Sequence, residues 1–257
     1  MEHLKRKLTC LFSLLLIVAP GSYALTLNAP MAISQIVTVQ PIIVSDDDGS
    51  NTATFFGDAS QKSIIEGFVD QIWAQAGIDV NFLTANTWNN TFANEGTTNN
   101  PRPTSDLNTI VDTAPDNVKN ADANVINIFF VNIAAGFSLL NENTAAGLAF
   151  RPGNGITQYV GENLLDFTGG QEVIASVVAH EIGHNLGLAH TNSVVDGNLE
   201  FPENLMTSNG SGERLRADQI ATALNSNLSV TAVPIPAAFW LLASGLVFLF
   251  RNKKVVQ

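Results

Sequence analysis

With 257 residues, 46% of them apolar, the chain can form one domain of ordinary size plus short terminal signals. Its net charge of −11 understates the acidity of the middle, because six of the twelve basic residues but only one of the 23 acidic ones lie in the two end segments. That leaves the central domain near −16, a surface that repels phosphate backbones and excludes nucleic acid as a partner.

Residues 1–24 stand apart from the domain. Lys5-Arg6-Lys7 is a basic start, Leu8 to Ala19 an apolar run, and Ser22-Tyr23-Ala24 a small-residue cleavage site, which together read as a secretory signal peptide. A signal peptidase is therefore an expected partner, and the mature protein begins near Leu25. Cys10, the sole cysteine, lies inside this leader, so the exported domain has no disulfide; a domain this large does not need one.

Ile33 to Val44 is a β-rich run, followed by Asp46-Asp47-Asp48-Gly49-Ser50-Asn51. Those carboxylates are a candidate calcium site, but the spacing does not reproduce an EF-hand loop and an acidic turn is the simpler reading. Ala59 to Ala76 carries Ile64, Ile65, Phe68, Ile72 and Trp73 at helical spacing, with Gly77 as a stop. Ile78 to Leu83 alternates as a strand and completes an opening β-α-β unit.

Residues 85–104, rich in Asn and Thr and holding Pro101 and Pro103, read as an exposed loop. A short helix follows, capped by Ser105, with Leu107, Ile110 and Val111 inward. Asn124 to Ile133 is nearly continuous in β-formers, so it is predicted to be buried on both faces at the sheet centre. Ala145 to Gly153 reads as a strand between turns, and Ile156 to Val160 as another. Thr168 with Gln171 fits a capping box opening a helix from about Gly169 to Leu186, in which Val173 and Val177 continue the histidine face into the core.

That helix carries His180-Glu181-Ile182-Gly183-His184-Asn185-Leu186-Gly187-Leu188-Ala189-His190. Residues four apart on a helix are offset by only about 40°, so His180 and His184 present two imidazoles to one point. A catalytic zinc wants a third protein ligand and an open position for water, and a straight helix cannot return a histidine six residues later. Gly187 supplies the turn, since glycine takes the left-handed conformation that ends helices, and His190 swings back. Glu181 is a poor further ligand but is placed to deprotonate a metal-activated water. The alternative is a buried helix whose histidines bond within the core. Against it, the chain has four histidines, and apart from His3 in the leader all of them occupy this motif.

The eleven residues resemble the HExxHxxGxxH signature of the metzincin zinc endopeptidases. The resemblance implies an α+β fold, with a mixed twisted sheet, a long active-site helix beneath it and a C-terminal helix. It implies one catalytic Zn2+ on His180, His184 and His190, Glu181 as general base, and a protein or peptide substrate. It makes Met206, in Asn204-Leu205-Met206-Thr207-Ser208, the methionine of the turn below the metal; simple core packing is the other reading of that residue. Gly147, Leu148, Ala149 and Phe150 resemble the strand that rims the metzincin cleft and pairs with extended substrate by β-augmentation. Many relatives are held latent by a propeptide cysteine, a device unavailable here. Thr191 follows the third histidine where some branches carry a diagnostic Asp, Glu, Ser or Pro, and Ser208 stands where some carry a tyrosine near the metal, so no branch is assigned and no tyrosine ligand carried over.

Leu215 to Leu224, with Ala217, Ile220, Ala221 and Leu224, reads as a last helix packing on the lower part of the domain. Beyond it, Val233-Pro234-Ile235-Pro236 opens an apolar run ending at Phe250, with Arg251, Lys253 and Lys254 after it: a membrane segment with a cytoplasmic basic end, short of the roughly 20 residues a permanent span needs. This end resembles the PEP-CTERM sorting tails of Gram-negative bacteria, which an exosortase removes, with Pro-Ile-Pro in place of Pro-Glu-Pro; a retained anchor is the alternative. The expected organisation is therefore a leader at 1–24, a catalytic domain at 25–230 and a sorting segment at 231–257, in a protein exported to the cell surface or matrix. The rival function is surface or matrix adhesion with a structural zinc, and a smaller one is zinc-water hydrolysis of a non-peptide bond.

Overall fold

The structure is a computed structural model that describes residues 27–96, 107–132, 146–191, 194–195, 198–199, 203–208 and 212–232. The leader and the sorting segment lie outside the described residues, as does Ser105. In chain order the elements are β1 (Gln35–Ser45), α1 (Ala59–Ala74), β2 (Ile78–Phe82), β3 (Asn86–Asn89), α2 (Thr91–Glu95), α3 (Leu107–Thr113), β4 (Val125–Phe130), β5 (Gly147–Ala149), β6 (Gly155–Gln158), α4 (Glu162–Asp166), α5 (Gly170–Asn185), β7 (Val194–Val195), β8 (Asn198–Leu199), α6 (Ala217–Leu224) and β9 (Ser229–Thr231).

Seven strands form one mixed, twisted sheet of order β2-β1-β4-β6-β5, with β3 and β9 also on β1, while β7 and β8 pair apart. β1 is long enough to serve four partners. Along one edge it takes β2 in parallel at Gln35 to Val39 and β3 at Ile42 to Ser45. Pro41, which has no N–H to give, sits at the junction where β2 ends and β3 begins. Along the other edge β1 takes β4 at Thr38 to Ile43 and, antiparallel, β9 at Gln35 to Val37. Ala232 N–H donates to the Ser34 carbonyl at 2.9 Å, so the chain leaves the described domain beside the point where β1 starts.

Alternate residues of the strands feed two cores. Val37, Val39, Ile126, Ile128 and Phe130 pack with Ile65, Ile72 and Trp73 of α1 and Val178 and Ile182 of α5. Ile42, Val44, Phe129 and Val131 face the other way, onto Trp88 and Ile110. All six residues of β4 are therefore buried, Asn127 included, as its nearly continuous run of β-formers predicts. Each large side chain so enclosed contributes roughly 1.5–3 kcal/mol.

Several expectations are corrected. Residues 86–95, read as loop, form β3 and α2: Asn90 caps α2 through the Ala93 N–H, and Trp88 is buried because β1 reaches far enough to give β3 a partner. Ile64, expected inward, is 42% exposed, since the buried stripe of α1 runs through Ile65, Val69, Ile72 and Trp73. The capping box of Thr168 and Gln171 does not form. Gly169, with φ +86, is the N-cap of α5, and the Gln171 amide instead donates to Leu165 O, holding the preceding α4. Val173 is 47% exposed and Val177 half-buried, because Ile174, Ala175, Val178 and Ala179 take the core face of α5. In α6, Ala217 and Ala221 face solvent, while Gln219 and Ala223 are buried.

Two polar contacts brace α1. Asp58 Oδ1 accepts the Ser60 and Gln61 N–H groups while Gln61 Oε1 accepts the Asp58 N–H, a reciprocal cap. Asp70 Oδ1 accepts the Val80 N–H at 2.9 Å, tying the helix to β2.

Candidate metal centre

The site is built where α5 ends. His180, His184 and His190 form a group whose ligand nitrogens all lie within 4.8 Å of one another, and it is the one such group among the described residues. Gly187 makes the return possible. At φ +99 it follows Leu186, the C-cap, with its N–H donating to His184 O and the Leu188 N–H donating to Gly183 O, the paired bonds of a Schellman turn. His190 then comes back with its Nε2 at 3.1 Å from that of His180 and 3.0 Å from that of His184.

The protonation pattern of these rings follows from their other nitrogens. His180 Nδ1 lies 2.6 Å from Leu205 O and His184 Nδ1 lies 2.8 Å from Leu188 O. A carbonyl only accepts, so each Nδ1 carries a hydrogen and each neutral ring turns an Nε2 lone pair toward His190. Burial keeps the rings neutral. It is the main cause that lowers His180 to about 4, helped by the charge of His184, and it also lowers His184 and His190. His190 can offer at most one N–H to two facing lone pairs, so the arrangement lacks a proton that a cation would replace. Zinc with nitrogens at about 2.0–2.1 Å in a tetrahedron holds them roughly 3.3 Å apart, close to the spacing found. The residues fit that ion, and the carbonyls of Leu205 and Leu188 orient the ligands.

Glu181 is not in the ligand group. It is 6% exposed, and burial pushes its carboxyl up to about 8. Above it passes β5, the last strand of the sheet, antiparallel to β6 with Gly147 opposite Gln158. Gly147, Leu148 and Ala149 are thus in a strand that ends the sheet among the described residues, whereas Phe150 falls just outside it. Gln158 is 2% exposed and its Nε2 donates to Ala146 O and Tyr159 O, which fixes the start of β5.

Met206 is fully buried against Gly183 of α5. A Cβ on Gly183 would lie 2.6 Å from its Sδ, so glycine at 183 lets α5 settle on the methionine. What holds this turn was not apparent from the sequence. Asn204 Oδ1 accepts the Met206 N–H at 3.0 Å, and Asn204 and Gln219 of α6 exchange side-chain hydrogen bonds of 2.8 and 2.9 Å. The local signal was an Asn two residues before the methionine, the usual place for a side chain to close a turn. Asn185 was likewise missed: its Nδ2 donates to Phe150 O at 2.9 Å and Gly155 O at 3.2 Å, binding the β5–β6 hairpin to the end of α5.

The acidic loop lies elsewhere. Asp48 Oδ1 accepts the Ser50 N–H, Asp47 Oδ1 the Thr91 N–H and Asp46 Oδ1 the Asn94 amide, so each carboxylate closes the turn or binds it to α2.

Comparison with known proteins bears on this geometry. The family model described as metallo-peptidase family M12B, reprolysin-like, matches residues 61–191, just over half of the chain. No curated protein matches the sequence. Among solved structures, archaemetzincin from Archaeoglobus fulgidus, complexed with malonate, is 12% identical with a TM-score of 0.40, covering 73% of this chain and 99% of its own. Archaemetzincin from Methanopyrus kandleri is 14% identical with a TM-score of 0.38, over 82% and 95%. Metalloproteinase-II from Bacteroides fragilis is 14% identical with a TM-score of 0.45, over 77% and 55%.

Proposed function

The chain belongs to the reprolysin-like M12B metallopeptidases, and we propose that it is an exported zinc-dependent endopeptidase. The observation that carries this reading is the meeting of three imidazole nitrogens at the end of a helix that also carries the buried Glu181, which stays outside their ligand set. His180, His184 and His190 would hold the ion through the Nε2 atoms that converge here. When bound, zinc supplies Lewis-acid polarisation of the scissile carbonyl and acidifies the attacking water.

Glu181 takes the proton from that water during attack and passes it to the leaving amine. Its burial suits both halves of the task, because a carboxyl that is costly to ionise holds a proton readily and is a stronger base when ionised. Among the described residues β5 has no partner on its outer side, and its backbone groups there would pair with an extended peptide, giving affinity with little side-chain choice. The Met206 turn keeps Leu205 O on His180. Export rests on the leader at 1–24 and the tail at 231–257, read from sequence alone; the tail implies an exosortase-type processing enzyme and passing membrane contact.

The test is Glu181→Ala. It is expected to keep one zinc per chain and lose casein cleavage, while a chelator abolishes cleavage by the parent. Cleavage by the variant at the parental rate would remove Glu181 from its role, and a zinc-loaded parent that cleaves no protein would end the endopeptidase reading. Mass spectrometry of the secreted form would show whether the ends are processed near residues 24 and 234.

A further inference from the structure

The hairpin that links β5 to β6 carries a cation whose position the peptidase chemistry leaves unexplained. Arg151 is exposed two residues beyond the end of β5. The residue before it is held by Asn185 Nδ2 through Phe150 O, and Asn185 also accepts the Gly153 N–H, so Arg151 is fastened to the turn of α5 that follows His184. Asn185 is the last residue of α5 and directly follows His184, and it also binds Gly155 O, so the hairpin that carries Arg151 is pinned at both its ends to the point where the histidine helix stops.

Other cations of the described domain are engaged: Lys62 with Glu66, Arg214 with Glu203, Arg216 with Asp218, and Lys119 with the Val111 carbonyl. Arg151 has no carboxylate partner among the described residues. A guanidinium beside a divalent cation site raises the cost of placing the ion there, and only a negative group arriving between or next to them offsets it. In a domain near −16 such a cation is also the natural landing point for an anionic segment that the rest of the surface repels.

Resting on the endopeptidase reading, we propose that Arg151 is a specificity-determining residue that binds an aspartate or glutamate side chain of the substrate. Gly147 marks where β5 crosses Glu181, and Arg151 is four residues further along the hairpin. At about 3.3 Å per residue, less the reach of the arginine side chain, the acidic residue falls roughly two to four positions from the scissile bond, on one side only. The planar fork of the guanidinium suits a carboxylate bound by two parallel hydrogen bonds.

The experiment is digestion of a peptide library by the zinc-loaded full chain and by Arg151→Ala and Arg151→Glu, with cleavage sites mapped by mass spectrometry. Matched peptides carrying Glu or Gln at the favoured position then give kcat/KM ratios. The parent should favour Glu over Gln about fivefold at low salt, the scale of one exposed ion pair. The ratio should fall toward one in Arg151→Ala, drop below one in Arg151→Glu with Lys or Arg newly favoured at that position, and shrink with added salt. An acidic preference that survives charge reversal, or a parent that cleaves with no acidic preference, overturns the assignment of Arg151 alone. A parent that cleaves no peptide, like Glu181→Ala, overturns the endopeptidase reading and this assignment with it.

Discussion

Gly147 rests directly on Glu181: a Cβ at position 147 would stand 2.6 Å from Glu181 Cγ and 2.9 Å from its carboxyl carbon, with Gln158 Oε1 also at 2.9 Å. Strand β5 and the buried Glu181 carboxyl are therefore one packed unit. Gly147→Ala must push either β5 or Glu181 aside, an overpacking that costs roughly 1–3 kcal/mol. We expect zinc content to stay at one per chain while kcat/KM on a peptide substrate falls by about tenfold or more, which steady-state kinetics with metal analysis would check. Parental kinetics in this variant would show that the contact is not one the reaction depends on.

The Asn204–Gln219 pair predicts a coupled loss. Asn204→Ala removes the acceptor for the Met206 N–H and strands the buried Gln219 amide, so it should cost about 2–4 kcal/mol of stability. Gln219→Ala in the same background should add less than it costs alone, with a coupling of about 1 kcal/mol or more, because the two side chains share one network. Urea unfolding of the four proteins of the cycle gives the answer; strict additivity would contradict the network.

Asp70 sets a pH dependence away from the metal. Burial, with the charges of Asp79 and Glu66 behind it, raises the carboxyl to about 6 against the downward pull of the Val80 N–H. The folded state thus holds this proton more tightly than the unfolded chain, whose aspartates titrate near 4. The associated stability is present in full below about pH 4 and is lost as pH rises through 6, leaving a net penalty at neutrality. Asp70→Asn keeps an acceptor for Val80 and removes the charge, so it should stabilise the protein at pH 7.5 by on the order of 1 kcal/mol after screening of this half-buried group, about 2–4 °C in Tm. The gain should vanish below pH 4; calorimetry at both pH values tests this.

Metal binding should be legible in stability as well as in catalysis. The lone pairs of His180 and His184 both face His190, which has at most one N–H for the two, so the folded state gains from an ion that the unfolded chain holds poorly. Each tenfold rise in free zinc above the dissociation constant should add about 1.4 kcal/mol, and stripping the metal should lower Tm accordingly. His180→Ala should flatten that dependence. A Tm indifferent to zinc in the parent would argue that the ion does not bind these rings.

Sequence revealed those parts whose physics is local. The three histidines were readable because helical offset and one glycine fix their meeting, and β4 because a strand covered on both faces is nearly all β-formers, with Asn127 its one polar residue. What escaped depends on partners far along the chain. Asn and Thr in residues 86–95 look like loop until the far end of β1 supplies pairing for Asn86 to Asn89. Thr168 has the right neighbour for a cap, but Gly169 reaches a left-handed conformation that Thr168 cannot match, and Gln171 is claimed by Leu165. Val173 has the periodicity of the histidine face, yet near the start of α5 that face has already left the core. The glycine at 147 was visible as a residue, though not as the space that the Glu181 side chain fills.

The antiparallel seam between the start of β1 and β9 brings Ser34 and Ala232 together at one corner. A load drawn across those two points would open the seam like a zipper, breaking one hydrogen bond at a time from the Ala232 end, instead of shearing several at once. On the other side of β1, Ser34 and Gln35 stay fastened through their N–H groups to Gly77 O, ahead of β2. A domain held by one end could be tugged hard enough to lose three residues of strand and still keep its metal.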